Sequence, residues 1–401
     1  MVWAYGLGWI MSNRIDHAQL SLTIVSPTNI GGSETLTTKD YMYNYDAGEV
    51  YLLNNYEWFR FLARHNKLSE FEIYMQNEMV RPNGRTMYDW AKNTIGSSQL
   101  TKDVLGPAIG SIIKSSIYNE GRKNSLNDIT PQIRGANGEV YIPGSSIKGV
   151  IDSDIISHML LNNKAFRSNV QRELRKVLDV YKRKNAGSLF KDIFKMVNQA
   201  IIKHIHVLTN NDGKPLKGIL ASAFRGISVS DAMPMSAIQT EVLKKEDSCV
   251  DEDGTHEISV HRECILPNQK FFFTLTLDTA ITKGIGITSV DQVLEILQED
   301  FDATHELLSS KFKKVSPSIF KALEPANAYI GSNTGFVQKT IIMAAFTDNE
   351  ETGIDIIRAI LDVKFQKAKH ANNDHFMAPR AIKLVKWNGH YYEMGGIHIG
   401  R

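Results

Sequence analysis

An α+β fold is what this sequence predicts, and three observations carry it. Segments that alternate apolar and polar residues are interleaved with segments whose apolar residues recur every third or fourth position. Glycine, proline and asparagine clusters punctuate the two kinds. The order in the first half (strand, loop, hairpin, helix, then strand and helix) suits a ferredoxin-like sandwich with insertions, and the second half repeats the scheme. Two such domains are therefore expected: 1–210, with a helical insertion, and 211–401, with a glycine-rich loop. The boundary is set at Asn210-Asn211-Asp212-Gly213-Lys214-Pro215, a strong break.

Met1–Met11 is apolar but lacks a basic leader and a small-residue cleavage site, so a signal peptide is not expected, and Met11 is a second candidate start. Leu20, Leu22 and Ile24 mark a first strand, followed by a turn-rich loop holding Gly31 and Gly32. Asp40–Tyr43 and Glu49–Leu53 form a hairpin turned at Asp46-Ala47-Gly48, and Asn55–Asn66 a helix facing inward with Trp58, Phe59 and Leu62. Tyr88–Ile95 and Ile109–Tyr118 are expected as short helices, and Asn119–Arg134 as a polar loop.

Glu139–Ile142 has strand composition and follows the hairpin signal Asn137-Gly138. Pro143 ends it, Gly144 turns the chain, and Ser145 or Ser146 caps a helix that buries Ile147, Ile151, Ile155 and Met159. Seven basic residues between Arg167 and Lys184, opposed by Glu173 and Asp179, make a basic amphipathic helix, and Leu189–Leu208 a second helix. Such a basic face is either solvated or a track for a nucleic-acid backbone.

In the second half, Phe224–Asp231 is a bent strand, and Ser236–Asp253 a polar excursion. Val260–Ile265 and Lys270–Leu277 are strands, and Ser289–Lys311 and Glu350–Gln366 helices. Two closing strands lie around Asn388-Gly389.

Composition bounds the chemistry. Hydrophobic content of 42% and charged content of 22% are ordinary for a globular protein, and a net charge of +2 makes any basic patch local. No run approaches the ~18 apolar residues of a membrane helix. Two cysteines, Cys249 and Cys264, exclude a disulfide framework or a Cys-rich zinc site, and a reducing cytoplasm fits. The twelve histidines make no metal-binding spacing, so no metal, cofactor or catalytic residue is assigned. His17 and His398 are candidate general bases only, and Asp46 and Asp231 read as turn and strand-end residues.

Two stretches carry a binding signal. The helix start at Gly144–Gly149 gathers free backbone N–H groups, Ser145, Ser146 and Lys148, a good place for a phosphate. The alternative is a plain capped helix with Lys148 solvated or paired to Asp152. Tyr329–Thr340 brackets Ser332, Asn333 and Thr334 with Gly331 and Gly335, then adds Phe336 and Lys339. It is no Walker A motif, because Phe336 follows Gly335. Its glycines allow close approach of a nucleic-acid backbone, and Phe336 offers a stacking surface. The alternative is an ordinary turn with Phe336 in the core.

Four pieces in order, Ile142–Gly149, Phe224–Asp231, Gly331–Thr340 and Tyr392-Glu393-Met394-Gly395, resemble the RAMP proteins of CRISPR effector complexes. More narrowly, the chain is similar to the RAMP family that caps the guide end in type III-A Csm complexes. The resemblance implies two RNA-recognition-motif-like, that is ferredoxin-like, domains. It implies a non-catalytic subunit that binds the 3′ region of the crRNA at the end of the backbone filament and supports crRNA maturation and antiviral defence. The implied partners are the backbone RAMP subunit and the small helical subunit, target RNA indirectly, and trimming nucleases. The RNA ligands it implies are Gly31, Gly32, Gly144, Ser145, Ser146, Lys148, Gly149, Arg225, Gly331, Gly335, Phe336 and Lys339. A RAMP endoribonuclease acting on repeat RNA and a protein-only scaffold are the alternatives.

Overall fold

The computed structural model describes residues 14–32, 34–77, 79, 85–99, 110–115, 126, 128–210, 212–332 and 334–401. The Met1–Met11 reading, Asn333 and half of the Asn119–Arg134 loop lie outside them.

The alternation in the first strand does what period two requires. Strand β1 (Ile15–Ile24) buries Ala18, Leu20, Leu22 and Ile24 on one face. It sits in the middle of an antiparallel sheet, in the order β11 (Ala328–Tyr329), β14 (Gly396–Gly400), β1, β10 (Lys270–Asp278) and β6 (Ile227–Val229). The short β7 (Met233–Pro234) also pairs with β10. Helices Gly144–Asn162 and Val290–Lys311 cover the buried face. Ile147, Ile151 and Ile155 from one, and Val293, Ile296 and Leu297 from the other, share a core with Leu20, Phe273 and Ile397. In chain order the elements run strand, helix, strand, strand, helix, strand, and in space the strands stand fourth, first, third, second.

The second sheet runs β13 (His390–Glu393), β12 (Ala381–Trp387), β8 (Thr240–Cys249), β4 (Gly110–Ser115), β3 (Glu49–Leu53) and β2 (Tyr41–Asn44), with β9 (His256–Ile265) also on β8 and β5 (Ile129–Thr130) on β9. Three short helices, Asn55–Arg64, Leu68–Asn77 and Met87–Thr94, pack Trp58, Phe61, Phe71, Tyr74 and Trp90 beside β2 and β3. A helical layer built from Lys164–Val180, Ala186–Ile205 and Glu350–Lys364 forms a separate core around Phe166, Val170, Leu174 and Ile357. Both sheets draw strands from either side of residue 210.

Several expectations are corrected. Ile109–Tyr118 was expected as helix, yet Gly110–Ser115 is a strand paired to β3. A short β-branched apolar run fits either period, and the free ladder of β3 decides it. Ser236–Asp253 was expected as a polar excursion, yet Thr240–Cys249 is strand β8, paired to β12 and β9. Its charges are paired rather than solvated, Lys383 and Lys245 both meeting Asp247 at 2.9 and 3.2 Å. The bent strand at 224–231 is a 3₁₀ turn, Ala223–Gly226, followed by β6. The last expected strand is two, because Gly395 at φ +87° breaks it and sends β14 to the first sheet. Neither Ser145 nor Ser146 caps the helix at Gly144; Pro143 stands at the cap position, with no side-chain cap bond.

Candidate nucleic-acid interface

Three stretches far apart in sequence converge on one cleft of about 480 Å³: the loop after β1, the start of the Gly144–Asn162 helix, and the glycine loop after β11. Of the residues singled out above, Gly31, Ser146, Gly149, Gly331 and Lys339 line it.

The two glycine loops are locked together by Asn29. Its buried side chain donates to the Glu263 carbonyl at 2.7 Å, and its carbonyl accepts the Ser332 amide at 2.7 Å. The Ser332 hydroxyl bonds the Asn29 side chain as well. Gly331, at φ +92°, lets this happen: a Cβ there would stand 2.4 Å from the Asn29 carbonyl oxygen. A Cβ on Gly31 would stand 2.7 Å from the Thr130 methyl. These glycines therefore admit protein, whereas a Cβ on Gly32 or Gly149 would meet nothing within 4 Å. Below the loops, the buried Glu263 pairs with Arg134, accepts the Gln132 amide at 2.9 Å and the Thr240 hydroxyl at 2.6 Å. The Gln132 side chain in turn accepts the Ile30 amide at 2.8 Å.

The helix start is less open than its sequence suggests. The Gly144 amide donates to Asp231 Oδ1 at 2.7 Å, so the free donor at the first turn already has an anionic partner. Lys148 Nζ donates to the carbonyls of Phe224, at 2.8 Å, and Ile227. It therefore ties the helix to the 3₁₀ turn and β6 and does not line the cleft. Gly144 is buried against β6, and Ser145 is exposed beside the rim.

The remaining candidates stand elsewhere. Arg225 is exposed, its guanidinium donating to the Leu220 carbonyl at 3.0 Å. Phe336 packs against the helical core, so the core reading of that residue holds in the structure. Gly335 is buried against the Gln338 side chain. His17 and His398 are exposed on the first sheet and do not line the cleft. Asp46 stands in its hairpin turn, 3.7 Å from Lys92.

Ser332, named above within the glycine loop, lines the cleft with Tyr329, and the cleft residues that sequence reasoning did not name are Ser153, Asp154 and Gln338. Asp154 is one turn beyond the residues singled out on the helix, and spacing alone was the signal for it. Burial, and then the nearby Asp300, hold the Asp154 carboxyl well above the usual carboxylate range. Burial pushes Asp300 up to about 6, against a bond from Ser157, and Asp152 to about 6, against the pull of Lys148. Under the glycine loop, Gln338 donates to Glu393, whose carboxyl burial pushes to about 7. Lys339 reaches back to the Gly331 carbonyl; burial of its amine, then Arg262, lowers its pKa. The cleft thus combines small residues, hydroxyls, one lysine and one acid, Asp154, biased toward its neutral form. That set bonds phosphate and sugar oxygens without reading bases.

No protein-family model matches the chain. In sequence it is 22% identical over 404 residues to the CRISPR system Cms protein Csm5 of Mycobacterium tuberculosis, covering 96% of this chain and 97% of that one. It is 24% identical over 273 residues to Csm5 of Streptococcus thermophilus, covering 67% and 66%. In fold it matches a chain of the cryo-EM Csm–crRNA–target RNA ternary complex of a type III-A CRISPR-Cas system, with TM-score 0.61 and 17% identity over 95% of this chain and 99% of that one. It also matches the crystal structure of T. onnurineus Csm5, with TM-score 0.57 and 17% identity over 94% and 99%. Over nearly its full length the chain is therefore similar in sequence to proteins named Csm5, and its fold is similar to that of a solved Csm5.

Proposed function

We propose that this chain is a guide-RNA-binding subunit of a type III-A Csm ribonucleoprotein, holding the 3′ region of the crRNA at the end of the backbone filament. The observation that supports it is the convergence of three separate loops on one cleft of hydroxyls, glycines and Lys339, in a chain similar to Csm5 throughout. Backbone and hydroxyl contacts grip any guide sequence equally, which a shared subunit requires. In this reading the chain does no chemistry. It neighbours the backbone RAMP and small helical subunits in the cytoplasm, meets target RNA only through the guide, and leaves trimming of the guide end to other nucleases.

The finer reading of the fold is two ferredoxin-like units, one per sheet. The fourth-first-third-second strand order of the first sheet supports it. Each unit then draws on both 1–210 and 211–401, so the units interleave along the chain.

The test is to purify the chain with its neighbouring operon products and map the 3′ ends of the bound RNA, beside Gly149→Glu and Lys339→Glu. Gly149 is exposed with open space around it, so the glutamate adds charge to the cleft without disturbing the fold. Blurred, shortened or missing 3′ ends are expected in both. A protein-only scaffold is the second reading, favoured by the bonds of Lys148 and Lys339 to backbone carbonyls. Wild-type RNA content and ends in both variants would move it to the front.

A further inference from the structure

The turn between β8 and β9 brings together three metal-binding side chains that no sequence motif announced. Cys249 closes β8, Glu252 stands in the turn, and His256 opens β9. One ligand atom from each, the cysteine Sγ, a glutamate oxygen and a histidine ring nitrogen, lies within 4.8 Å of the other two. His256 Nε2 and Glu252 Oε2 are already 2.6 Å apart. Cys249 is a free thiol, only 4% exposed.

The backbone of the turn is held in place from several sides. Val250 donates its amide to the Arg380 carbonyl at 2.8 Å, and the Ser248 hydroxyl donates to the Gly254 carbonyl at 2.9 Å. Lys314 Nζ donates to the Asp251 carbonyl at 2.7 Å. Gly254, at φ +89°, makes the reversal that returns His256 over Cys249. Next in sequence to Glu252, Asp251 Oδ1 is buried without a hydrogen-bond partner among the described residues.

We propose that Cys249, Glu252 and His256 bind one Zn²⁺ ion, with the fourth position open to solvent. Sulfur, imidazole nitrogen and carboxylate oxygen are the donors zinc takes, at about 2.3, 2.0–2.1 and 2.0–2.2 Å. Tetrahedral donors at those lengths stand roughly 3.4–3.7 Å apart. Small side-chain rotations therefore close the site on the ion. Binding releases the Cys249 thiol proton. Thiolate and carboxylate together balance the charge of the ion, and Arg380, 3.9 Å from Glu252, remains outside the ligand set. The oxygen-seeking ions Mg²⁺ and Ca²⁺ are disfavoured by the thiolate and the imidazole. The ion would pin the tip of the β8–β9 hairpin to the β8–β12 ladder at Ala381.

The full-length chain, treated with a chelator and then titrated with Co²⁺, tests the site directly. One equivalent should give a thiolate-to-cobalt charge-transfer band in the near ultraviolet, and Zn²⁺ should bleach it. Cys249→Ser should abolish the band. His256→Ala removes an exposed side chain and leaves the hairpin ladder intact. It should weaken Zn²⁺ binding, read by competition with a chromophoric chelator, at least about 100-fold, since even the outer partners of ligands are worth about 10–100-fold. No charge-transfer band in the parent chain, a band that survives Cys249→Ser, or unchanged affinity in His256→Ala would each overturn the proposal. The trio would then be an ion pair beside a buried thiol.

Discussion

Gly144 and Asp231, 87 positions apart, meet at 2.7 Å, the glycine amide donating to the carboxylate. This bond does the work that the sequence assigns to Ser145 or Ser146: it satisfies an orphan donor of the helix start and sets an anion at its positive end. Gly144 is required there, since a Cβ would stand 2.5 Å from the Val229 carbonyl oxygen. Asp231→Ala should therefore lower stability by about 1–2 kcal/mol, and Asp231→Asn by less, because the amide oxygen still accepts. Urea denaturation of the three chains checks it. Equal midpoints for parent and alanine variant would mean the bond contributes nothing.

Lys148 and Lys339 should part company. Lys148→Met takes the amine donor from the carbonyls of Phe224, which keeps the Ile227 amide, and Ile227, and should cost about 1–3 kcal/mol. Lys339→Gln, on a residue exposed except at its amine and bonded to one carbonyl, that of Gly331, should stay within about 0.5 kcal/mol of the parent. Thermal melts of both variants decide, and a Lys148→Met chain as stable as the parent would show that the two carbonyls find other donors.

The glycines of the cleft should also divide. Gly331→Ala forces a Cβ against the Asn29 carbonyl at φ +92° and should cost about 1–3 kcal/mol. Gly32→Ala meets nothing and should be close to neutral. If both variants melt together, the lock between the two loops is softer than the 2.4 Å approach implies.

Periodic elements were legible because period alone fixes them. The apolar alternation of β1 named Leu20, Leu22 and Ile24, and the spacing of the Gly144–Asn162 helix named Ile147, Ile151 and Ile155, all buried, whereas Met159 is only half-buried. Two of the four pieces that suggested RNA binding, the helix start and the glycine loop, also line one cleft. What was illegible depends on partners distant in sequence. Strand β8 looks polar because its charges answer Lys383 and Thr255. Lys148 looks like a phosphate ligand because the carbonyls that take it lie 76 and 79 residues away. Asp154 and Glu393 are ordinary acids in sequence, and only burial changes their chemistry.

Glu393 makes the stability of the chain depend on pH. Its carboxyl is buried and bonded by Gln338, and among the described residues its Oε2 and the Tyr329 hydroxyl have no hydrogen-bond partner. Burial raises it from 4.5 to about 7. A raised folded-state pKa means that the folded chain holds the proton more tightly than the unfolded one. The stabilisation is therefore complete below about 4.5, and it is lost as pH rises through about 7. The loss from this group should approach about 3 kcal/mol, and Asp152 and Asp300, raised to about 6, act in the same direction. Glu393→Gln keeps an acceptor for Gln338, carries no charge, and should flatten the profile. It should be more stable than the parent at pH 8 and similar to it at pH 5. Denaturation midpoints measured from pH 5 to 8 read this directly. A parent chain whose stability does not fall over that range would show that Glu393 stays ionised within the fold.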